Sequence, residues 1–319
     1  MSKNTRFWLG IGSLFTVLAL WVVSSFLTKK ILNDFNHPFL LTFLNSISSQ
    51  FFFIFIWIPD PLDKSFGLVK NKDAKSAIKL MAKIALPLFP LYFFANYLSN
   101  VAFSCTSVGI ATLISSTCAF FTLIIGSIFN TEAMTKLKFL ATLTSFLGVG
   151  TIAIDPEEFK SSRLIGNIIA LAGAFLYGCY STYLKKAISD TPSIHMPLLF
   201  AFVGFYTLIL TWPLLLLLDF LKIEPLFSDI QKPVIYGLTL NIIFGSLIPA
   251  YLWNIAFSYT SPLIVALGMS CNIPVTLIVE HFFMNSPLNL VKIVAGTLIL
   301  IGFAILNVTT YLTEHKEEK

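Results

Sequence analysis

Apolar runs of membrane-crossing length follow one another along this chain with short polar joints between them. That spacing leaves few folds open. A helix rising about 1.5 Å per residue needs about 20 apolar residues to cross a hydrocarbon core of about 30 Å. Ten segments meet that length, at approximately 7–27, 38–58, 84–105, 108–129, 138–154, 164–184, 197–218, 234–257, 262–283 and 289–309. In lipid every backbone N–H and C=O must be satisfied within the protein, which a helix does by itself. Hydrophobic residues form 56% of the chain and charged residues 12%, with a mean hydropathy of +0.83. Soluble domains carry about 25% charge, and a soluble chain this apolar would expose large sticky patches. The sequence therefore predicts an all-α integral membrane protein with ten transmembrane helices.

The chain is also written twice. Tyr97-Leu-Ser-Asn-Val-Ala-Phe-Ser-Cys-Thr-Ser107 returns as Tyr251-Leu-Trp-Asn-Ile-Ala-Phe-Ser-Tyr-Thr-Ser261, eight of eleven residues identical without a gap. At the same offset of 154, Ile110 matches Ile264, Ser116 matches Ser270, and Lys138, Ala141 and Gly148 match Lys292, Ala295 and Gly302. The first two spans repeat more weakly, with Lys29-Lys30 and Asp34 answering Lys185-Lys186 and Asp190. Each copy, residues 1–158 and 159–319, then holds five spans. An odd number of spans turns the second copy upside down, which is the inverted-repeat architecture of secondary transporters.

Loop charge gives an orientation that agrees. With the N-terminus cytosolic, the cytosolic segments hold 14 of the 21 Lys and Arg, six of them between Pro59 and Lys83. Both termini are then cytosolic by the positive-inside rule. The net charge of +5 comes from these loops and not from a patterned basic face, so it gives no hint of nucleic-acid binding. The opening Met-Ser-Lys-Asn-Thr-Arg runs straight into an apolar stretch and reads as a retained first span. The four cysteines, Cys105, Cys118, Cys179 and Cys271, show no metal-ligand spacing and read as packed, reduced thiols.

Ten spans as five plus five, with Ser115-Ser-Thr-Cys-Ala-Phe-Phe-Thr-Leu-Ile124 in span four and Trp21-Val-Val-Ser-Ser-Phe26 in span one, resemble the drug/metabolite transporter superfamily (EamA-like). Within it the chain is similar to the solute-carrier family 35 subfamily F-like proteins of eukaryotes, including fungal thiamine-repressible homologues. The resemblance implies that spans one to four and six to nine surround the substrate route, with spans five and ten supporting the bundle or a homodimer. It implies an internal membrane such as vacuole or Golgi. It does not imply a substrate.

Polar side chains at bilayer depth are where a solute path is first sought. Ser115, Ser116 and Thr117 lie near the middle of span four, and Ser270 and Asn272 near the middle of span nine, just before Pro274. These groups either bind solute or satisfy their own backbone and knit helices together. Asn100 and Asn254 occupy equivalent places beside Tyr97 and Tyr251, and a buried amide must find partners in a substrate or in neighbouring helices. Asn45, Tyr92 and Asn96 are further candidates, while Trp21, Tyr177, Tyr180 and Trp253 read as cavity walls or interfacial anchors. Glu280, near the end of span nine, is a candidate for ion coupling or else a solvated carboxylate. Lys138 and Lys292, at matched span starts, read as snorkelling lysines.

No nucleotide fingerprint, paired-carboxylate motif or His cluster appears, so the sequence points to neither an enzyme nor a bound cofactor or metal. The function it predicts is a secondary active or facilitative carrier of a small polar metabolite, working by alternating access with membrane lipid and the solute as its partners. The alternatives are a nucleotide-sugar or other anionic-metabolite antiporter, and a receptor or scaffold that moves nothing. A phosphate at the midplane would want Lys or Arg, and no span interior supplies one in sequence; a neutral or cationic solute, thiamine-like for instance, suits the Tyr and Trp inventory better.

Overall fold

The computed structural model describes residues 3–56, 74–132, 134–152, 161–190, 194–225, 231–260, 265, 268–269, 271–284 and 289–317. The described residues form helices α1 (Lys3–Asp34), α2 (Pro38–Ser48, continued by a 3₁₀ stretch Ser49–Ile56), α3 (Ala74–Cys105), α4 (Val108–Ser115), α5 (Cys118–Ile128), α6 (Lys136–Ile152), α7 (Ser161–Asp190) and α8 (Met196–Phe220). They are followed by α9 (Lys232–Leu240), a π-helical segment Asn241–Leu247, α10 (Ile248–Tyr259), α11 (Asn272–Met284) and α12 (Leu290–Glu317). Among the described residues six helical stretches are long and apolar enough to cross a membrane: Thr5–Asp34, Ser76–Cys105, Val108–Ile128, Arg163–Asp190, Met196–Phe220 and Lys232–Trp253. Pro38–Ile54, Asn272–Met284 and Leu290–Leu306 are shorter apolar helices. Ser270, and the expected repeat boundary at 158/159, lie outside the described residues.

Two of these spans are not uniform helices, and sequence explains why. Between α4 and α5 the chain tightens at Ser116–Thr117, where the amide of Thr117 bonds to the Ile114 carbonyl and that of Phe120 to Thr117. Such i to i+3 bonding leaves carbonyls under-satisfied, and the hydroxyls supply the missing donors. In the second case, α9 loosens into the π segment just before Pro249, whose ring cannot donate to the helix behind it.

The inside of the bundle is packed in two main clusters. Phe39, Met81, Leu88, Phe93, Leu198, Leu199 and Val203 fill the space between α2, α3 and α8. Ile110, Leu113, Ile114, Ile273, Leu277 and Ile299 join α4, α11 and α12. Outward positions are equally apolar: Phe15, Leu147 and Ile168 are each more than half exposed. A surface of this kind is at home only against acyl chains, because a soluble fold would hide it.

α6 and α12 pack along each other with unusual closeness. A Cβ on Gly148 would meet the Ala295 carbonyl oxygen at 2.9 Å, and one on Gly302 would strike the Ala141 carbonyl and Ser145. Partners on α12 fall in number as those on α6 rise, so the helices run antiparallel. The Ser145 hydroxyl donates to the Ile299 carbonyl at 3.3 Å between these two contacts. Small residues let the backbones approach, which is how helices associate where lipid removes the hydrophobic drive.

Candidate solute site

The walls of a central cavity come from helical stripes. On α3, Tyr92, Asn96, Asn100 and Phe103 recur every three or four residues and share one face; on α1 the same holds for Trp21, Ser24, Ser25 and Thr28. Thr42, Asn45 and Ser46 of α2, Tyr177 of α7 and Gly245 and Ser246 of the π segment complete a cavity of about 290 Å³. A second compartment of about 200 Å³ shares Trp21, Asn45, Tyr92, Tyr177 and Ser246 with it and continues past Ser48, Ser49, Phe52, Tyr180, Phe200, Trp253 and Met269. One end is thus lined by hydroxyls and amides, the other by rings. Among the described residues no side chain lining either compartment is charged.

The amides form a connected network. Asn241, at the start of the π segment, donates to the Ser24 hydroxyl at 3.1 Å, the Ser24 carbonyl at 3.3 Å and the Thr28 hydroxyl at 2.9 Å. Its oxygen accepts from Asn45 at 2.8 Å. Asn100 donates to the Thr42 hydroxyl at 2.8 Å, and Thr42 in turn donates to the Pro38 carbonyl at 2.7 Å. Asn96 donates to the Tyr92 carbonyl at 2.8 Å. Ser246 donates to the Asn45 carbonyl at 2.9 Å. Tyr92 and Tyr180 sit 5.5 Å apart, ring to ring, with Tyr177 5.1 Å from Tyr180.

Of the residues singled out in sequence, the structure brings Asn100 into the cavity with Asn45, Asn96, Tyr92, Trp21 and Tyr177, and Tyr180 and Trp253 into the aromatic end. Tyr97 packs edge-on against Phe39 at 5.4 Å. In span four Ser116 donates to the Leu113 carbonyl and Thr117 to the Ile114 carbonyl at 2.7 Å, and Thr117 is fully buried. Ser115 ends α4, and none of the three lines the cavity. Asn272 opens α11 and accepts from Thr276 at 3.5 Å, while Pro274 falls in the first helical turn, where its missing N–H costs nothing. Tyr251 is half-buried on α10, and Asn254 is described only as a helical position there. Asn241, Ser24, Thr28 and Ser246 were not singled out. Their signal was the Ser24, Ser25, Thr28 stripe already present in span one, whereas the π segment breaks the helical period that would have aligned Asn241 and Ser246 with it.

Two charged expectations need correction. Glu280 is buried at 4% exposure, not solvated, because its carboxylate reaches the start of α4 and accepts from the Gly109 amide at 2.8 Å. A helix N-terminus offers unpaired N–H groups and positive potential, so a carboxylate there is held without reaching water. Lys138 does not snorkel either: it is 2% exposed and pairs with Glu132 at 3.3 Å, and the other Glu132 oxygen binds Lys185. Lys292 is also buried. Lys29, which lines neither compartment, donates its ammonium to the Ser104 and Thr106 carbonyls at 3.3 and 3.1 Å. Outside the spans, Glu224 caps α2 by accepting from the Phe39 amide at 3.0 Å and the Leu40 amide at 3.2 Å. Burial pushes its carboxyl above the ordinary 4.5, with those two amides pulling the other way. His37 beside it donates to the Pro225 carbonyl at 3.1 Å and is lowered by burial from its ordinary 6.5.

An all-helical bundle with apolar flanks and an uncharged polar cavity between its helices belongs to the multi-pass membrane transporters. Residues 10–307 match the Triose-phosphate Transporter family, and the chain belongs to that family. It is 34% identical to a transporter of Schizosaccharomyces pombe over 94% of this chain and 95% of the relative. It is 30% identical to a vacuolar membrane protein of Saccharomyces cerevisiae over 96% of this chain and 91% of the relative. Solute carrier family 35 member F5 of Macaca fascicularis is 31% identical over 69% of this chain and 51% of its own length. A solved structure, described only as "Crystal structure of protein", superposes with a TM-score of 0.58 at 16% identity, covering 98% of this chain and 100% of its own, which shows a shared fold.

Proposed function

We propose that this chain is a secondary active or facilitative transporter that carries a small polar solute through the central cavity by alternating access. The observation that carries the reading is the cavity itself: hydroxyls and amides from α1, α2, α3 and the π segment converge between spans whose outer faces are apolar. A passive bundle would fill that space with hydrocarbon. Two inverted five-helix repeats, 1–158 and 159–319, with both termini cytosolic, are the architecture proposed for it. Support comes from the α6–α12 crossing, where Gly148 against Ala295 and Gly302 against Ala141 are the same contact made twice at an offset of 154. Rocking one such half against the other exposes a shared site to each side in turn. Any proton coupling would run through Glu280, the buried carboxylate at the head of α4. The S. cerevisiae relative's vacuolar membrane makes that organelle the proposed location.

The test is uptake into proteoliposomes containing the purified chain, without ATP, across a solute panel. Asn100→Leu and Asn96→Leu should abolish saturable uptake, while Ser116→Ala and Thr117→Val should leave it within about twofold, since those hydroxyls serve their own helix. Loss of uptake in Ser116→Ala with survival in Asn100→Leu would place the path along span four instead. Survival in all four variants would remove the cavity from transport.

A further inference from the structure

We propose that a groove between α3 and α5, with α7 as its floor, holds an anionic glycerophospholipid, its acyl chain along the apolar wall and its phosphate between Lys83 and Lys186. α3 and α5 each pack on α7. Ile84, Pro87 and Leu91 form one stripe of α3 along this groove, Cys179, Tyr183 and Ala187 one stripe of α7, and Ile125 and Phe129 one stripe of α5. The space is about 760 Å³, within the range of about 300–1,000 Å³ typical of small-molecule sites. Among the described residues it shares no lining side chain with either compartment of the solute cavity. Leu80, Pro87 and Phe129 on its walls are exposed, so the groove opens on the outside of the bundle, where lipid lies.

The groove has the polarity of such a lipid. Gly166 of α7 lies against Cys105 and Gly173 against Leu98, so α7 and α3 run antiparallel and Lys186 comes level with Lys83. Both lysines line the groove near the ends of their spans, Arg163–Asp190 and Ser76–Cys105. From Lys83 the α3 wall of Ile84, Pro87 and Leu91 runs inward for about 12 Å at about 1.5 Å per residue. Among the described residues neither lysine makes an ion pair: Lys186 rests 5.8 Å from the centre of the Phe129 ring, whereas its neighbour Lys185 is committed to Glu132. Asp190 also lines the groove, one turn beyond Lys186 at the end of α7. Two lysines against one carboxylate leave a single positive charge in surplus, which one phosphodiester matches. A soluble anion has no use for the apolar wall, and a bare acyl chain has none for the lysines; a phospholipid uses both. In the orientation proposed above this end faces the cytosolic leaflet, where anionic lipids concentrate and basic pockets between spans bind their head groups.

Lipid binding, not uptake, tests this site. Phosphatidylserine and phosphatidylcholine with identical acyl chains are offered together to the purified full-length chain in detergent, and the lipid retained is counted by native mass spectrometry. Each lysine beside an anionic head group contributes about fivefold, so phosphatidylserine should be retained about fivefold or more over phosphatidylcholine, and Lys83→Gln and Lys186→Gln should each lower that preference by about fivefold. Lys79→Gln, one turn from Lys83 and outside the groove, should leave it unchanged. Ala187→Phe, which fills the groove and spares both lysines, should lose the lipid; where it fails to fold, the variants of the two exposed lysines decide. Equal retention of the two lipids overturns the proposal, and so does a preference that Lys79→Gln lowers as much as Lys83→Gln, because diffuse surface charge would then suffice. Glycerophosphoserine, the head group without chains, should not displace the lipid, and displacement as effective as by phosphatidylserine itself would make this a site for a soluble phosphate instead. A dimer that Ala187→Phe dissociates, with no lipid retained in the parent chain, would give the groove to a second copy.

Discussion

The two ends of the α4–α5 span are held in different ways, although the sequence supplies both with a matched lysine pair. At one end, Lys185 of α7 and Lys138 of α6 converge on Glu132, so a single carboxylate joins two helices by ion pairs. At the other, Lys29 of α1 donates to the last carbonyls around α3, and Glu280 of α11 caps α4 through Gly109. Among the described contacts, ion pairs meet at the first end and side chains cap backbone groups at the second. Duplicated sequence therefore does not mean duplicated bonding.

The largest test of that contrast is Glu132→Gln. It leaves the buried Lys138 ammonium without its carboxylate, and removing one partner of a buried pair costs about 3–5 kcal/mol. Thermal unfolding in detergent should show it, and adding Lys138→Met should recover part of the loss. An unchanged Tm would mean that the ion-pair end contributes nothing to this state. Next is Gly109→Ala at the capped end, where the new methyl would run into the Glu280 carboxylate and lie 2.9 Å from Leu277. Overpacking of this kind costs about 1–3 kcal/mol, and the same change combined with Glu280→Ala should be milder than their sum. Additive effects would show that the carboxylate is not held at Gly109.

The smallest test concerns the loop groups beside the capped end. Glu224 is raised above 4.5, so between that value and its folded one the folded protein keeps a proton the unfolded chain has lost, and stability falls as pH rises through the window. His37 is lowered below 6.5, so its contribution is lost as pH falls from 6.5 through its folded value. Glu224→Gln should flatten the first slope of Tm against pH and His37→Gln the second. An unaltered profile in both variants would detach this loop from the pH response.

Much of the scaffold could be read before any coordinates. Ala141, Gly148, Ala295 and Gly302 kept their spacing in the duplicate, and these same residues meet where α6 and α12 cross. Polarity inside apolar spans also drew attention to Asn45, Asn96, Asn100 and Tyr92, which do share a cavity. What polarity alone does not say is which way a side chain spends its hydrogen bond. Ser116 and Asn100 look equally suggestive on paper, yet a tightened turn captures the first hydroxyl and a neighbouring helix the second group. Glu280 stood near a predicted span end, and only the folded arrangement brings the α4 amide within its reach. Asn241 was hidden by a local change of helical period, from which no single residue stands out.

The α6–α12 crossing is a seam of the isologous kind, in which each partner gives the other the contact that it receives. Such a seam needs no covalent connection to specify its pairing. Two separately translated fragments, ending and beginning within 153–160, should find each other in a membrane and co-purify, and Gly302→Leu, which crowds the Ala141 carbonyl, should weaken that reunion.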